Sequence, residues 1–293
     1  MELMSQISLS LSAVAFFVGI LVGATGMGGG ALMTPALIAL GIPPATAVAN
    51  DLVAAAFTKS VAAMTHWRSG RAHLRIALLL SAGSAPCAAL GGWIAWSSPI
   101  LHANDSILRG LIGIALLLAA AAYALRARVI GRCRKTEADT ILARPIPTLL
   151  VGAAVGILVG VSSVGSGSLM LLALALLYPT MKLDHLVGTD IVQAIPLVIS
   201  AALTHFATGE VSVTLLIPLI IAGSTGTFLG SFALRHIDPR TLLILVVTIL
   251  TVTGLDMFAA PKPLIFVAAL VSGISAARMQ QRTITTPLTD ADS

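Results

Sequence analysis

Long apolar runs separated by a few polar residues divide this chain from end to end. Full-length runs fall at about 7–25, 45–67, 74–97, 107–127, 146–164, 185–206, 211–234, 241–258 and 264–279. Two shorter ones lie at about 29–41 and 168–179. A hydrocarbon core about 30 Å thick takes roughly 20 helical residues to cross. The short runs cover only about 18 Å as helices, too little to cross comfortably. Spanning segments in lipid must satisfy every backbone group internally, so the long runs read as helices. The pattern predicts an all-α polytopic membrane protein. The first run does not read as a secretory leader, since no Lys or Arg precedes it and no cleavage site leads into a soluble domain.

The pattern is also written twice. VGILVG occupies residues 18–23 and again 155–160, each time ahead of a glycine-rich turn, GMGGG (26–30) and GSGS (165–168). Gly28 and Gly30 align with Gly165 and Gly167 at an offset of 137. At an offset of 139, Asp51 aligns with Asp190, Thr65-His66 with Thr204-His205, Gly70 with Gly209 and Gly91 with Gly230. Glycine matches alone are weak; the Asp and Thr-His matches carry the repeat. It divides the chain into a first repeat at 1–128, a basic linker at 129–145, a second repeat at 146–258, and an extra C-terminal helix and tail at 259–293.

Composition agrees with lipid as the main solvent: 57% of residues are hydrophobic and only 10% charged, against about a quarter charged in soluble domains. The net charge of +5 sits in short loops, where it orients the chain in a membrane, so nucleic acid is not an expected partner. The charges also choose between two topologies. Take the clusters Arg68/Arg71/Arg75 and Arg126–Arg144 as cytoplasmic. Parallel halves then put Arg109, Lys182, Arg235, Arg240, Arg278 and Arg282 outside. Halves in which each short run turns back leave only Arg109 and Lys262 outside. The positive-inside rule favours the second: two inverted repeats, each opening with a glycine-tipped hairpin and a short half-helix, with the N-terminus external and the C-terminus cytoplasmic. Inverted repeats with interrupted helices are a transporter plan, with the substrate site near the midplane.

Candidate chemistry follows from that plan. Each short helix starts at a glycine tip, and helix N-termini attract anions. Thr25, Gly28, Gly29 and Gly30 on one side, and Ser163, Gly165, Ser166, Gly167 and Ser168 on the other, are the candidate substrate-binding residues, with Ser162 a further hydroxyl. The plain alternative is tight packing of small residues. Polar residues inside spans usually mark an ion path or a partnered pair. The path candidates are Asn50, Asp51 and Lys59 in the first half and Thr189, Asp190 and Gln193 in the second, with His66 and His205 ending their spans. Either aspartate could carry protons and Lys59 attract anions; alternatively Lys59 neutralises an aspartate and the aspartates cap helices. Trp67, Trp93, Trp96 and Tyr123 read as interface anchors. No GK[ST] follows either glycine turn, so ATP coupling within this chain is unsupported. No HExxH, Cys/His group or serine elbow marks an enzyme. Cys87 and Cys133 make a poor disulfide pair. No metal or cofactor is expected.

The chain resembles the TauE/SafE family, described as exporters of sulfite and organosulfur anions. The resemblance rests on VGATGMGGGALMTPAL, GIPPATAVANDLVAAAFTKSVAAMTHWRSGRAHLRIAL, VGSGSLM and LVGTDIVQAIPLVISAALTHFATGEVSVTLLIPLIIAGSTGTFLGS, and covers roughly residues 14–258. Gly188-Thr189 matches the family's Gly-Thr pattern; the first half instead has Ala49-Asn50-Asp51, an extra acid near the path. The resemblance implies secondary transport of a small inorganic or organosulfur anion, coupled to protons or potential, in the inner membrane of a bacterium. Membrane lipid is the other expected partner, a homodimer a candidate assembly, and a passive anion channel the alternative.

Overall fold

A computed structural model describes the backbone of residues 2–25, 29–68, 72–132, 142–233 and 238–284. Gly28 and the side chain of His66 lie outside the described residues, as do the Trp67 side chain and much of the basic linker. The described residues form helices and no strand: α1 (Glu2–Thr25), α2 (Gly30–Ala39), α3 (Pro44–Arg68), α4 (Leu74–Ser97), α5 (Pro99–Ala103), α6 (Asp105–Arg132), α7 (Pro145–Ser162), α8 (Ser168–Leu177), α9 (Leu183–Ala207), α10 (Val213–Ala233), α11 (Pro239–Asp256) and α12 (Lys262–Ile284). Every apolar run of the sequence is a helix, and the two short runs are α2 and α8. Among the described residues, five stretches are long and apolar enough to cross a membrane: Leu74–Ser97, Asp105–Arg126, Pro145–Ser162, Leu183–Ala207 and Val213–Phe232.

Local sequence sets the helix ends. Proline opens α5 and α7, where its missing N–H costs nothing. Pro239 opens α11 beside Asp238, whose carboxylate accepts from the Arg240 N–H at 3.1 Å. Gly41 at φ 87° and Gly209 at φ 77° stop the chain after α2 and α9, a conformation that suits glycine. Apolar side chains such as Phe17, Phe228 and Phe266 are exposed, as a lipid-facing surface requires. The exposed Trp93 and Trp96 fit interface anchors. Tyr123 does not: it is buried, and the Arg126 guanidinium lies 5.6 Å from its ring centre.

In lipid, helices gain little by hiding apolar surface, so close backbone approach drives packing. The chain spends its glycines on two such pairs, α1 with α10 and α4 with α7. A Cβ on Gly19 or Gly23 would land on the carbonyl of Gly223 or Thr227. One on Gly156 or Gly160 would land on that of Ser84 or Ala88. A Cβ on Gly230 would meet the Ile20 carbonyl, and one on Gly91 the Ile157 carbonyl. These are the same contacts at the repeat offsets, exchanged between halves. A valine at Gly23 or at Gly160 is therefore expected to lower stability by about the same amount, on the order of 1–3 kcal/mol or more from overpacking. Gly110→Ala, whose added methyl meets only the Phe258 ring at 3.7 Å, is expected to melt like the parent. Thermal melting in detergent checks all three.

A second exchanged pair fixes helix direction. The Ser212 N–H, just beyond α9, donates to Asn50 Oδ1 near the start of α3 at 3.2 Å. The His73 N–H, just beyond α3, donates to Thr189 Oγ1 near the start of α9 at 2.9 Å. The start of each long helix thus sits beside the end of the other, and α3 and α9 run antiparallel in the middle of the bundle. The helix α12, without a counterpart in the first half, packs on α11 and α6.

Candidate functional site

The start of α2, just after the first glycine turn, meets the end of α7, just before the second. Gly30 opens α2 with no Cβ, and the backbone carbonyl of Ser163 takes the space one would fill. Ser163 closes α7 in the left-handed conformation, φ 60°, which few non-glycine residues adopt. That geometry turns the chain into Gly165, at φ 109°. Gly167 then caps α8 without a side-chain hydrogen bond, as Gly29 caps α2. Each short helix therefore presents its first turn at the junction, with the partial positive charge of a helix start.

Side chains from both halves converge there. Asp51 on α3 is buried, and its Oδ2 accepts from Thr34 Oγ1 at 2.7 Å and from Ser163 Oγ at 2.8 Å. Lys59, two turns further along α3, donates to the hydroxyl and carbonyl of Ser166. Asp190 and Asp51 both act electrostatically on Lys59. Asp190 in turn accepts from Gln193 Nε2 at 3.1 Å, and Gln193 Oε1 receives Ser84 Oγ at 3.4 Å. Buried polar groups without partners are costly, and nearly all of these have one. Ser168 does not: it is the first residue of α8, 1% exposed, and its hydroxyl makes no hydrogen bond.

The hydroxyls read from sequence therefore divide. The Thr25 hydroxyl donates to the Leu21 carbonyl at 2.7 Å and Ser162 to the Leu158 carbonyl at 2.7 Å, so both protons are held by their own helices. Ser163 serves Asp51. Ser166 accepts from Lys59, and the Ser168 hydroxyl is left without a partner. Asn50 and Thr189, read as path residues, instead accept the backbone N–H groups that tie α3 and α9 to the opposite half. Asp51 forms one hydrogen-bonded group with Thr34 and Ser163, Lys59 another with Ser166, and Asp190 a third with Gln193 and Ser84.

His205 lies apart from the junction. It is buried at 1% exposure, with Nδ1 2.7 Å from Glu210 Oε2 and Nε2 2.9 Å from the Gly160 carbonyl. Sequence reading missed Thr34 and Glu210. Thr34 lies one turn after Gly30 on the same helix, and that spacing to a glycine tip was its only signal. Glu210 follows a glycine at a helix end and carries no periodic signal. No group of three or more His, Cys, Asp or Glu side chains suited to a metal occurs among the described residues.

A family model described as "Sulfite exporter TauE/SafE" matches residues 11–257. A "Probable membrane transporter protein YjnA" of Bacillus subtilis (strain 168) is 34% identical over 253 residues, covering 85% of this chain and 99% of that protein. A second protein of that strain, "Probable membrane transporter protein YdhB", is 26% identical over 231 residues, covering 78% of this chain and 91% of its own length. No solved structure matches the chain.

Proposed function

The chain belongs to the TauE/SafE sulfite exporter family of membrane transporters, and from that premise we propose that it carries a small sulfur-containing anion, such as sulfite or a sulfonate, by secondary transport. The anion binds where the start of α2 meets the end of α7. Lys59, the hydroxyls of Ser166 and Ser168, and the first turns of α2 and α8 receive it. The unpartnered hydroxyl of Ser168 carries this reading, because a buried donor at a helix start is costly unless something visits it. Asp51 and Asp190 balance Lys59 while the site is empty. Thr34 and Ser163 hold the Asp51 carboxylate to one side.

Inverted topology belongs to the same proposal. The antiparallel α3 and α9, equivalent in the repeat, support it, as do the exchanged glycine contacts. Together with the positive charges they favour an external N-terminus, a cytoplasmic C-terminus and an inner-membrane location. Flux into proteoliposomes tests the function, with sulfite, thiosulfate, a small sulfonate, sulfate and chloride run side by side with and without a pH gradient. Saturable flux of a sulfur anion supports the proposal. Unsaturable flux of every anion makes the protein a passive channel, and no flux in folded protein removes the transport reading.

Ser168→Ala separates binding from packing. The hydroxyl has no protein partner, so the variant is expected to melt at or slightly above the parent temperature. Losing a hydrogen bond to a charged ligand costs about 1.5–3 kcal/mol, so KM for the anion is expected to rise roughly tenfold or more. Both are read on the same preparation, one by melting and one by initial flux.

A further inference from the structure

We propose that His205 and Glu210 together form a proton-binding site that couples proton movement to the anion site; the coupling part rests on the transport reading above. A backbone carbonyl can only accept, so His205 Nε2 must carry a proton toward Gly160. Nδ1 then faces a carboxylate oxygen at 2.7 Å. One proton must lie between them, on the imidazole as a cation or on the carboxyl as an acid. Without it, a carboxylate would face a nitrogen lone pair in a buried place, the side chains being 2% and 10% exposed. The pair therefore holds one proton between its two members. Gly209, at φ 77°, precedes Glu210 and gives the loop a pivot.

Both members of the pair lead to the anion site. Gly160 stands three residues before Ser163, whose hydroxyl holds Asp51. Ser212 stands two residues after Glu210, and its N–H is bound by Asn50, the neighbour of Asp51. The pair thus borders the end of α7 and the loop that contacts α3 beside Asp51. Among the described residues of the elements packed on α9, α3 brings Asp51 and Lys59 and α4 brings Arg75 and Cys87, while α7 and α8 bring no titratable side chain. Among the described residues, Glu210 is the titratable side chain in contact with His205.

The aligned sequence of the other half differs at this point. At the repeat offset His205 corresponds to His66 and Gly160 to Gly23, but Glu210 corresponds to Arg71. The histidine–carboxylate combination is thus written into the second half and not into the aligned positions of the first.

Two readouts on the full-length protein test this. In proteoliposomes carrying sulfite, His205→Gln and Glu210→Gln are expected to keep sulfite counterflow within a few-fold of the parent and to lose its acceleration by a pH gradient. Acceleration kept in both variants overturns the coupling. The second readout needs no transport: nitrogen-labelled histidine in lipid nanodiscs, followed by NMR against pH. The His205 ring is expected to change in a single step that Glu210→Gln abolishes. A His205 ring unchanged across the pH range in which the protein stays folded, or a step unaffected by Glu210→Gln, overturns the proton site. If the parent moves no anion, the transport reading fails and the coupling with it. The proton site is then still decided by the titration.

Discussion

Lys59→Met is expected to cut saturable sulfite flux about tenfold to a hundredfold, through KM rather than through loss of folded protein. The Lys59 ammonium is the cation at the junction, and it reaches Ser166 from α3. A hydrogen bond to a charged group is worth about 1.5–3 kcal/mol, and each 1.4 kcal/mol or so is a factor of ten in binding. Methionine keeps the length and apolar stem of lysine, so the packing along α3 is retained. Asp51 keeps its two hydroxyl donors, Thr34 and Ser163, in the variant. Asp190 keeps Gln193. Lys59→Gln is the second variant, restoring a donor without the charge; it is expected to bind the anion almost as poorly. Initial flux against sulfite concentration measures the effect. An unchanged KM in both variants, in protein that elutes and melts normally, would mean that the anion passes elsewhere.

Gly30→Ala is expected to abolish transport and to lower the melting temperature, while Gly29→Ala does neither. The two glycines are adjacent, similar in sequence setting and indistinguishable by motif. Their surroundings differ. A methyl on Gly30 would occupy the place of the Ser163 backbone carbonyl and press on its hydroxyl. Backbone cannot move aside as a flexible side chain does, and Ser163 is already in a restricted conformation at φ 60°. Overpacking of this kind costs about 1–3 kcal/mol or more. It also pushes apart the two turns, and with them the Ser163–Asp51 contact. A methyl on Gly29 would come no nearer than 3.7 Å, to Asp51 Oδ1, an ordinary contact. Flux and melting on both variants decide it; equal behaviour would mean that the turns do not touch in the working protein.

Much of this was legible in the sequence because lipid imposes a coarse rule. Helices had to be apolar over a fixed length, so the order of the eleven apolar ones could be read directly, including the short α2 and α8; the five-residue α5 carried no such signal. The repeated VGILVG and the glycine turns pointed to the junction, because the same close approach demands the same missing Cβ in both halves. What could not be read was the destination of each polar side chain. Asn50 and Thr189 stand at matched depth and looked like a path, yet they bind the backbone beyond the ends of α9 and α3. Thr25 looked like a donor at the tip, but its proton turns back to Leu21. Thr34 sits in an apolar helix, marked only by its spacing from Gly30, and its role shows when Asp51 arrives from α3. Tyr123 was placed at an interface from its amphipathic ring, but packing inside the bundle, with Arg126 over the ring, outweighs that preference. Hydroxyls within helices have a local partner available, the carbonyl four residues back. Composition and spacing cannot say whether they use it.

The crossed pairing of α1 with α10 and of α4 with α7 has a consequence for how such a protein could move. The backbones in each pair touch at successive turns, with no side chain between them to give way. Sliding or tilting one partner alone would break that seam over several turns. The stiff parts of the machine are therefore hybrids, each assembled from one helix of the early half and one of the late half. An alternating cycle would swing one hybrid past the other about the central α3 and α9, and the boundary of motion would cut across the repeat instead of following it.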